Sequence, residues 1–273
     1  AITIGRRLRM AHLVIWPTWF LGKASCCLGD YGRAMGLLDE AAKTCDRVGD
    51  RAWKSRILNT LGWCLAEIGS ADRAHDCNRQ SSALGRELGD AEIVANAEIN
   101  LGASHLARGD VDRALVHIEP IRESLAVPGD PWMRWRYSLH LDDALGRVAL
   151  ARGEPERALA LARKECAAAQ LHRAPKIEAR GLELAGRALV ALEDREEARR
   201  ALEAAIGKAR EIGHPRVSWQ ALGLLAELEA QLGRIEAVRE LEAEQHSLVE
   251  RAAGTLADEQ LRRQLRDSIL KVP

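Results

Sequence analysis

The side chains able to do chemistry in this chain are few and scattered. Six cysteines stand at Cys26, Cys27, Cys45, Cys64, Cys77 and Cys166. None forms a C-x-x-C pair, and they are spread over 273 residues rather than crowded into a short disulfide framework. They read as free thiols filling gaps between helices, in a reducing compartment, hence the cytoplasm. Cys26-Cys27 has the makings of a redox pair, but no charge arrangement beside it would lower a thiol pKa. The eight histidines form no H-E-x-x-H and no Cys/His cluster, so no metal is expected. His105 falls on a packing side, where a hydrogen-bonded core histidine is the natural reading. Asp142 and Asp143 are adjacent carboxylates, yet neighbours on a helix point about 100° apart and cannot act as an acid–base dyad. Both are expected on a solvated face. No G-x-x-x-x-G-K-[ST] loop is present to cradle a phosphate. The residues therefore point to no enzyme and no cofactor. Lys+Arg and Asp+Glu balance at 40 each, so a nucleic-acid ligand lacks the basic excess it requires.

With chemistry set aside, the pattern that dominates is repetition. Small residues recur at Ala34, Ala74, Ala114, Ala158, Ala198 and Val238, in steps of forty with one step of forty-four. Twelve residues before each lies Gly22, Gly62, Gly102, Gly146, Gly186 or Ala226. Between them fall turns at Gly29-Asp30, Gly69-Ser70, Gly109-Asp110, Gly153-Glu154, Glu193-Asp194 and Gly233-Arg234. Six in-phase copies rich in Ala, Leu, Arg and Glu predict helix–turn–helix units stacked as a helical solenoid. The repeats are placed at 15–50, 54–90, 94–128, 131–172, 175–213 and 215–252. Residues 1–13 are read as part of an earlier second helix, and so the chain as a piece of a longer protein. Residues 255–271 are read as a solvating cap, with Asp258, Glu259, Arg262, Arg263, Arg266 and Asp267 facing outward.

Each boundary has a local cause. Asp30, Ser70, Asp110 and Asp194 can cap the second helices through a side-chain oxygen. Pro155 suits a first helical position, and Gly49, Gly89 and Gly213 suit a helix end. The four extra residues fall in 127–131, as a loop insertion. The glycine of the first helix and the alanine of the second are expected where the two helices cross, leaving room for close approach. Arg6-Arg7 ahead of an apolar run imitates a signal peptide. His12 and Pro17 interrupt that run, and Leu21-Gly22 is in register with Leu61-Gly62, so the segment is assigned to a repeat helix beginning at Pro17. It is too short to span a bilayer.

The Leu61-Gly62 pair, the Gly-Asp turns and the small residue five after the turn glycine resemble tetratricopeptide repeats over roughly residues 15–270. The period of forty resembles the longer form in kinesin light chains and in sensor arms of bacterial signalling ATPases. Trp132-Met133-Arg134-Trp135-Arg136, Ala151-Arg152-Gly153, Pro175 to Arg180, Gly213-His214-Pro215 with Trp219, and Leu256 to Arg262 follow in order. That series, over 131–265, resembles the C-terminal tetratricopeptide region of bacterial proteins joining a STAND-type or AAA-type ATPase to a cyclase, kinase or DNA-binding output domain. The resemblance implies an all-α, right-handed superhelical solenoid of antiparallel helix pairs with a C-terminal capping helix. Upstream ATPase or output domains of the same polypeptide become candidate partners.

In such arrays the first helices line the concave groove. One face at i, i+3, i+7 gives Trp16/Trp19/Lys23, Arg56/Asn59/Trp63, Asn96/Ile99/Ala103, His140/Asp143/Arg147, Arg180/Glu183/Arg187 and Gln220/Gly223/Glu227. The indoles suit a binding hot spot, and an amide can pair with a peptide backbone through donor and acceptor together. Asn100 resembles the asparagine that holds peptide backbone in some peptide-binding members, although Thr60 and Ala144 replace it in the flanking copies. The carboxylate-clamp pattern of chaperone-binding members is absent. Around repeats four and five, His140, Arg147, Arg180 and Arg187, with Arg136, Arg173 and Lys176 nearby, predict a basic patch for an acidic peptide or a phosphate-bearing ligand. Asp143/Arg147 and Glu183/Arg187 are also i, i+4 pairs that can satisfy each other. The reading is a non-catalytic interaction module with a protein or peptide partner and no membrane, the sensor or scaffold arm of a larger bacterial signalling protein. A free-standing peptide receptor or adaptor and an RNA-binding repeat protein are the alternatives.

Overall fold

A computed structural model describes residues 2–8, 10–126 and 131–270, with side chains described except at position 6 and positions 125–136. The loop insertion at 127–130 and the side chains of Trp132 to Arg136 lie outside the described residues. Fourteen helices and no strand are found among those described. They are α1 (Ile2–Leu8), α2 (His12–Cys27), α3 (Tyr31–Val48), α4 (Arg51–Glu67), α5 (Ala71–Leu88), α6 (Ala91–Ala107) and α7 (Val111–Ala126). There follow α8 (Pro131–Ala151), α9 (Pro155–Leu171), α10 (Pro175–Ala191), α11 (Arg195–Glu211), α12 (Pro215–Gln231), α13 (Ile235–Gly254) and α14 (Glu259–Ile269). The helices form the repeating antiparallel pairs of a tetratricopeptide-like solenoid fold. By packing, they divide into two units: residues 1–104 with 252–273, and residues 105–251.

The turn chemistry follows the register. Asp30, Asp110 and Asp194 accept backbone hydrogen bonds from Arg33, Arg113 and Glu197, closing the first turns of α3, α7 and α11. Asp50 and Asp90 do the same for Trp53 and Ile93. Ser70, expected as a cap, makes no side-chain cap bond. Eight glycines at the turns have positive φ, and where the register lacks one the substitute takes the same conformation: Arg173 at φ 52 and Glu193 at φ 60. The first turn of α2 forms through Val14 N–H and Ile15 N–H, both donated to the Ala11 carbonyl. The helix therefore begins at His12, ahead of the expected Pro17, which sits inside it.

The small residues pack differently from expectation. Ala34, Ala74, Ala114, Ala158 and Ala198 are all fully buried. The glycines, however, meet the residue four positions after the alanine. A Cβ on Gly22 would stand 2.9 Å from Leu38, one on Gly62 2.7 Å from Asn78, and one on Gly186 2.6 Å from Leu202. Gly146 instead receives Leu184 of α10, at 2.6 Å. One turn of helix separates the alanine from the residue that fills the glycine's notch.

In the first unit, Ile15, Leu38, Ala41, Cys45 and Ile57 form an apolar cluster between α2, α3 and α4. The closing segment lies against the same unit. Gly32 N–H donates to Thr255 Oγ1 at 3.3 Å, and a Cβ on Gly69 would stand 2.7 Å from Ser268. Leu261 and Leu265, one turn apart, are the buried face of α14, and Asp258 caps it. The expected cap thus packs against the opening repeats, while Asp258, Glu259, Arg263 and Asp267 stay exposed. In the second unit the core runs through Ala158, Ala162, Leu184, Ala188, Leu202, Ala205, Val217, Ala221 and Leu222.

Candidate functional site

The first-helix face of the first unit is built on aromatic rings. Trp16 meets Phe20 edge-on at 4.9 Å, Phe20 meets Trp19 at 4.7 Å, and Trp19 meets Trp53 at 5.3 Å. Trp19 is fixed by its indole N–H, which donates to Thr60 Oγ1 at 2.7 Å. Lys23 lies over the Trp19 ring and Arg56 over Trp53. Arg56 also donates to Asp90 and Glu92 at 3.0 and 3.3 Å. Trp16 and Phe20 remain 52% and 45% exposed. Trp63 and Asn96 are half-buried.

The two asparagines expected to meet a peptide do other work. Asn59 is buried and donates to Asn78 Oδ1 at 3.2 Å, and Asn100 donates to the same oxygen at 3.5 Å. Asn78 returns its own amide to the Ala74 carbonyl at 2.9 Å. Asn78 occupies the register position of Leu38, Ile118, Ala162 and Leu202, so an amide sits where four other copies place an apolar residue. A buried amide must be hydrogen-bonded, and Asn59 and Asn100 supply the donors. Ser55 and Ser81 extend this polar interior, each hydroxyl donating to the other's carbonyl at 2.9 Å. Of the amides expected on the groove face, Asn59 is thus buried, and Asn100 is half-buried with one amide bond to Asn78.

On the second unit the corresponding face carries charge. Asp143 of α8 and Glu183 of α10 are buried, with side chains 4% and 1% exposed. Arg147 spans both: its Nε donates to Asp143 at 3.1 Å and its Nη2 to Glu183 Oε2 at 2.8 Å. Arg180 pairs with Asp143 and Arg187 with Glu183. The result is a zigzag, Arg180–Asp143–Arg147–Glu183–Arg187, with three arginines 24–33% exposed and two acids beneath them. Burial pushes the Asp143 carboxyl up, but Arg147, Arg180 and the nearby His140 outweigh it and hold it at about 2. Burial opposes Glu183 likewise, and Arg147 and Arg187 hold its carboxyl below its ordinary value. The expectation of a solvated Asp142-Asp143 face is wrong: both are buried, and Lys164 of α9 reaches Asp142 at 2.9 Å. The middle residues Asn59, Ile99, Asp143 and Glu183 of four expected triplets are buried, and the outer residues of those triplets stay nearer the surface.

Sequence reasoning missed Glu165 of α9, which is fully buried and has no hydrogen-bond partner on either oxygen. Burial first, then Asp143, pushes its carboxyl well above the usual value. The signal was available: its register column holds Ala41, Ser81, Ile121 and Ala205, all buried. Burial also raises the Cys45 and Cys166 thiols to about 12, leaving them unreactive. All six cysteines are free. His105 is buried and stacks on His117 at 5.2 Å. Among the other cations of the expected basic patch, Arg173 is exposed, Lys176 is half-buried, and the Arg136 side chain lies outside the described residues. No helix among the described residues is long and apolar enough to cross a membrane.

Comparison with known proteins agrees with this architecture. Residues 95–120 and 139–164 each match the tetratricopeptide repeat family, and they coincide with α6–α7 and α8–α9. Two stretches of the chain thus match the tetratricopeptide repeat, within a fold of repeating antiparallel helix pairs. Its fold is similar to that of a Rap protein solved in complex with Competence and Sporulation Factor, at a TM-score of 0.62 and 13% identity, covering 92% of this chain and 71% of that one. A Podosopora anserina kinesin light chain structure of nearly identical TPR-like repeats aligns at a TM-score of 0.45 and 17% identity, covering 71% of this chain and 94% of that one. No curated protein matches by sequence.

Proposed function

We propose that this chain is a non-catalytic interaction module that holds a partner protein or peptide on its first-helix faces. It serves as the sensor or scaffold arm of a larger cytoplasmic bacterial signalling protein. The observation that carries this reading is the exposed aromatic edge of α2. Trp16 and Phe20 occupy the register columns of Arg180 and Leu184, and those two residues pack against the preceding first helix, on Asp143 and Gly146. The exposed rings thus stand in columns that elsewhere contact protein. Exposed tryptophan and phenylalanine in contact with each other mark an interaction surface more strongly than scattered single residues do. The similarly folded Rap protein, solved with Competence and Sporulation Factor, supports the same reading, as does the resemblance of residues 131–265 to signalling-ATPase arms.

The test is site-specific photo-crosslinking. A benzophenone amino acid placed at Trp16 or Phe20 should trap a discrete protein partner in cells. The same probe at Leu171, 79% exposed on the second unit, should not trap it. Equal capture at both places would defeat the proposal. An open reading frame continuing upstream of Ala1 into an ATPase or output domain is expected for the arm, and an adaptor would lack one.

A further inference from the structure

Resting on the interaction reading above, we infer that the outer guanidinium edges of Arg180 and Arg187 form a binding site for an acidic peptide segment of a partner protein. Of Arg180, only Nη2 is engaged, by Asp143, and of Arg187 only Nε, by Glu183. Arg147 uses Nε and Nη2. The remaining N–H groups of Arg180 and Arg187 have no protein partner among the described residues, and both side chains are about a third exposed. A guanidinium carries five N–H donors in a rigid fork, so fixing one edge on a buried acid aims the opposite edge outward.

The charge sum selects the ligand. Three arginines over two buried acids leave the zigzag at net +1, and Glu165, buried without a partner, adds no negative charge while protonated. Seven residues along α10 separate the two outer arginines by about 10 Å. A short segment with carboxylates at that separation can engage both forks, each through paired N–H···O bonds. A net charge this small offers a long polyphosphate backbone little, because such binding grows with the number of cations neutralising it.

The test titrates the full chain with N-acetylated, C-amidated hexaglutamate, with hexaglutamine as control. Hexaglutamate should bind and hexaglutamine should not. In the wild-type chain it should move the guanidinium nitrogen resonances of Arg180 and Arg187 but not those of Arg199 and Arg200. The R180K/R187K variant keeps both charges and loses the forks, and should bind about tenfold more weakly. R199K/R200K should bind as wild type. Absence of hexaglutamate binding would overturn the inference, as would resonance shifts spread evenly over all four arginines. So would a twelve-nucleotide oligothymidylate that binds as tightly and moves the same resonances. Should the double lysine variant fail to fold, the wild-type resonances decide alone. A chain that cross-links its partner at Trp16 yet ignores hexaglutamate would sink this inference and leave the interaction reading standing.

Discussion

The two units solve the same packing problem with different polar chemistry. In the first, the polar groups beside the first-helix column are neutral: Asn59, Asn78 and Asn100 share hydrogen bonds, and Ser55 pairs with Ser81, while the buried acids Glu67 and Glu98 lie apart from it, on Tyr31 and on Arg86. In the second, they are charged: Asp143 and Glu183 lie buried beneath Arg147, Arg180 and Arg187. The same register column holds Trp19 and Asn59 in one unit and Asp143 and Glu183 in the other. A neutral amide network specifies geometry with little dependence on pH or salt. A buried ion network adds charge to the adjoining surface, and it depends on every member keeping its partner.

The largest effect should come from cutting the ion network at its centre. Arg147→Ala leaves two buried acids each short of one partner and should cost about 2–3 kcal/mol, read by urea unfolding. The matched change on the first unit, Arg56→Ala, removes a part-exposed pair with Asp90 and Glu92 and should cost about 1 kcal/mol or less. Equal losses would mean that the two units do not differ as described.

Next in size is Asn78→Leu, which gives the first unit the residue found at Leu38 and Leu202. Although leucine stands at this register position in two other copies, here it strands the Asn59 amide in a buried site, at a cost of about 1–2 kcal/mol. Adding Asn59→Leu should recover part of that loss. A neutral or stabilised single variant would show that the amide network is dispensable.

The effect that starts smallest should be that of Glu165→Gln, which is near zero in acid and grows with pH. The folded Glu165 carboxyl sits above its ordinary value, so its burial adds no ionisation cost below about pH 4.5 and a growing one as pH rises. The glutamine variant should therefore match wild type in acid and melt higher as the pH increases. Asp143 and Glu183 act oppositely: their folded values are lowered, so their contribution is present above the ordinary carboxylate range and fades as pH falls toward 2. Melting curves collected across pH separate the two trends, and a wild-type–variant difference independent of pH would count against a protonated Glu165.

Much of the fold was legible in the sequence because the register carries it. The turn glycines, the aspartate caps and the buried alanines all fall where a step of forty places them, even at Arg173 and Glu193, where the residue type alone would not suggest positive φ. The site was less legible. Asp143 read as solvated because a single helix shows only its i, i+4 partner Arg147, whereas burial depends on Arg180, thirty-seven residues away. Asn100 read as a peptide-facing amide because its partner, Asn78, is visible only as a polar residue in a column that also holds Leu38, Ile118, Ala162 and Leu202. Glu165 was hidden for the same reason. In each case the clue lay in comparing copies of the repeat, not in the local pattern.

The tie between Gly32 and Thr255 has a consequence for the time course of synthesis. These residues are 223 apart, so the first unit is discontinuous in sequence, whereas residues 105–251 are contiguous. On a ribosome adding about 5–20 residues each second, residues 252–273 arrive roughly 7–30 s after residue 104. For that interval the Gly32 amide and the surface that receives Leu261 and Leu265 wait uncovered, while the later helices are already free to fold. The earlier-made part of this unit is thus among the last to be sealed, and a chaperone acting on the nascent chain would find its substrate there.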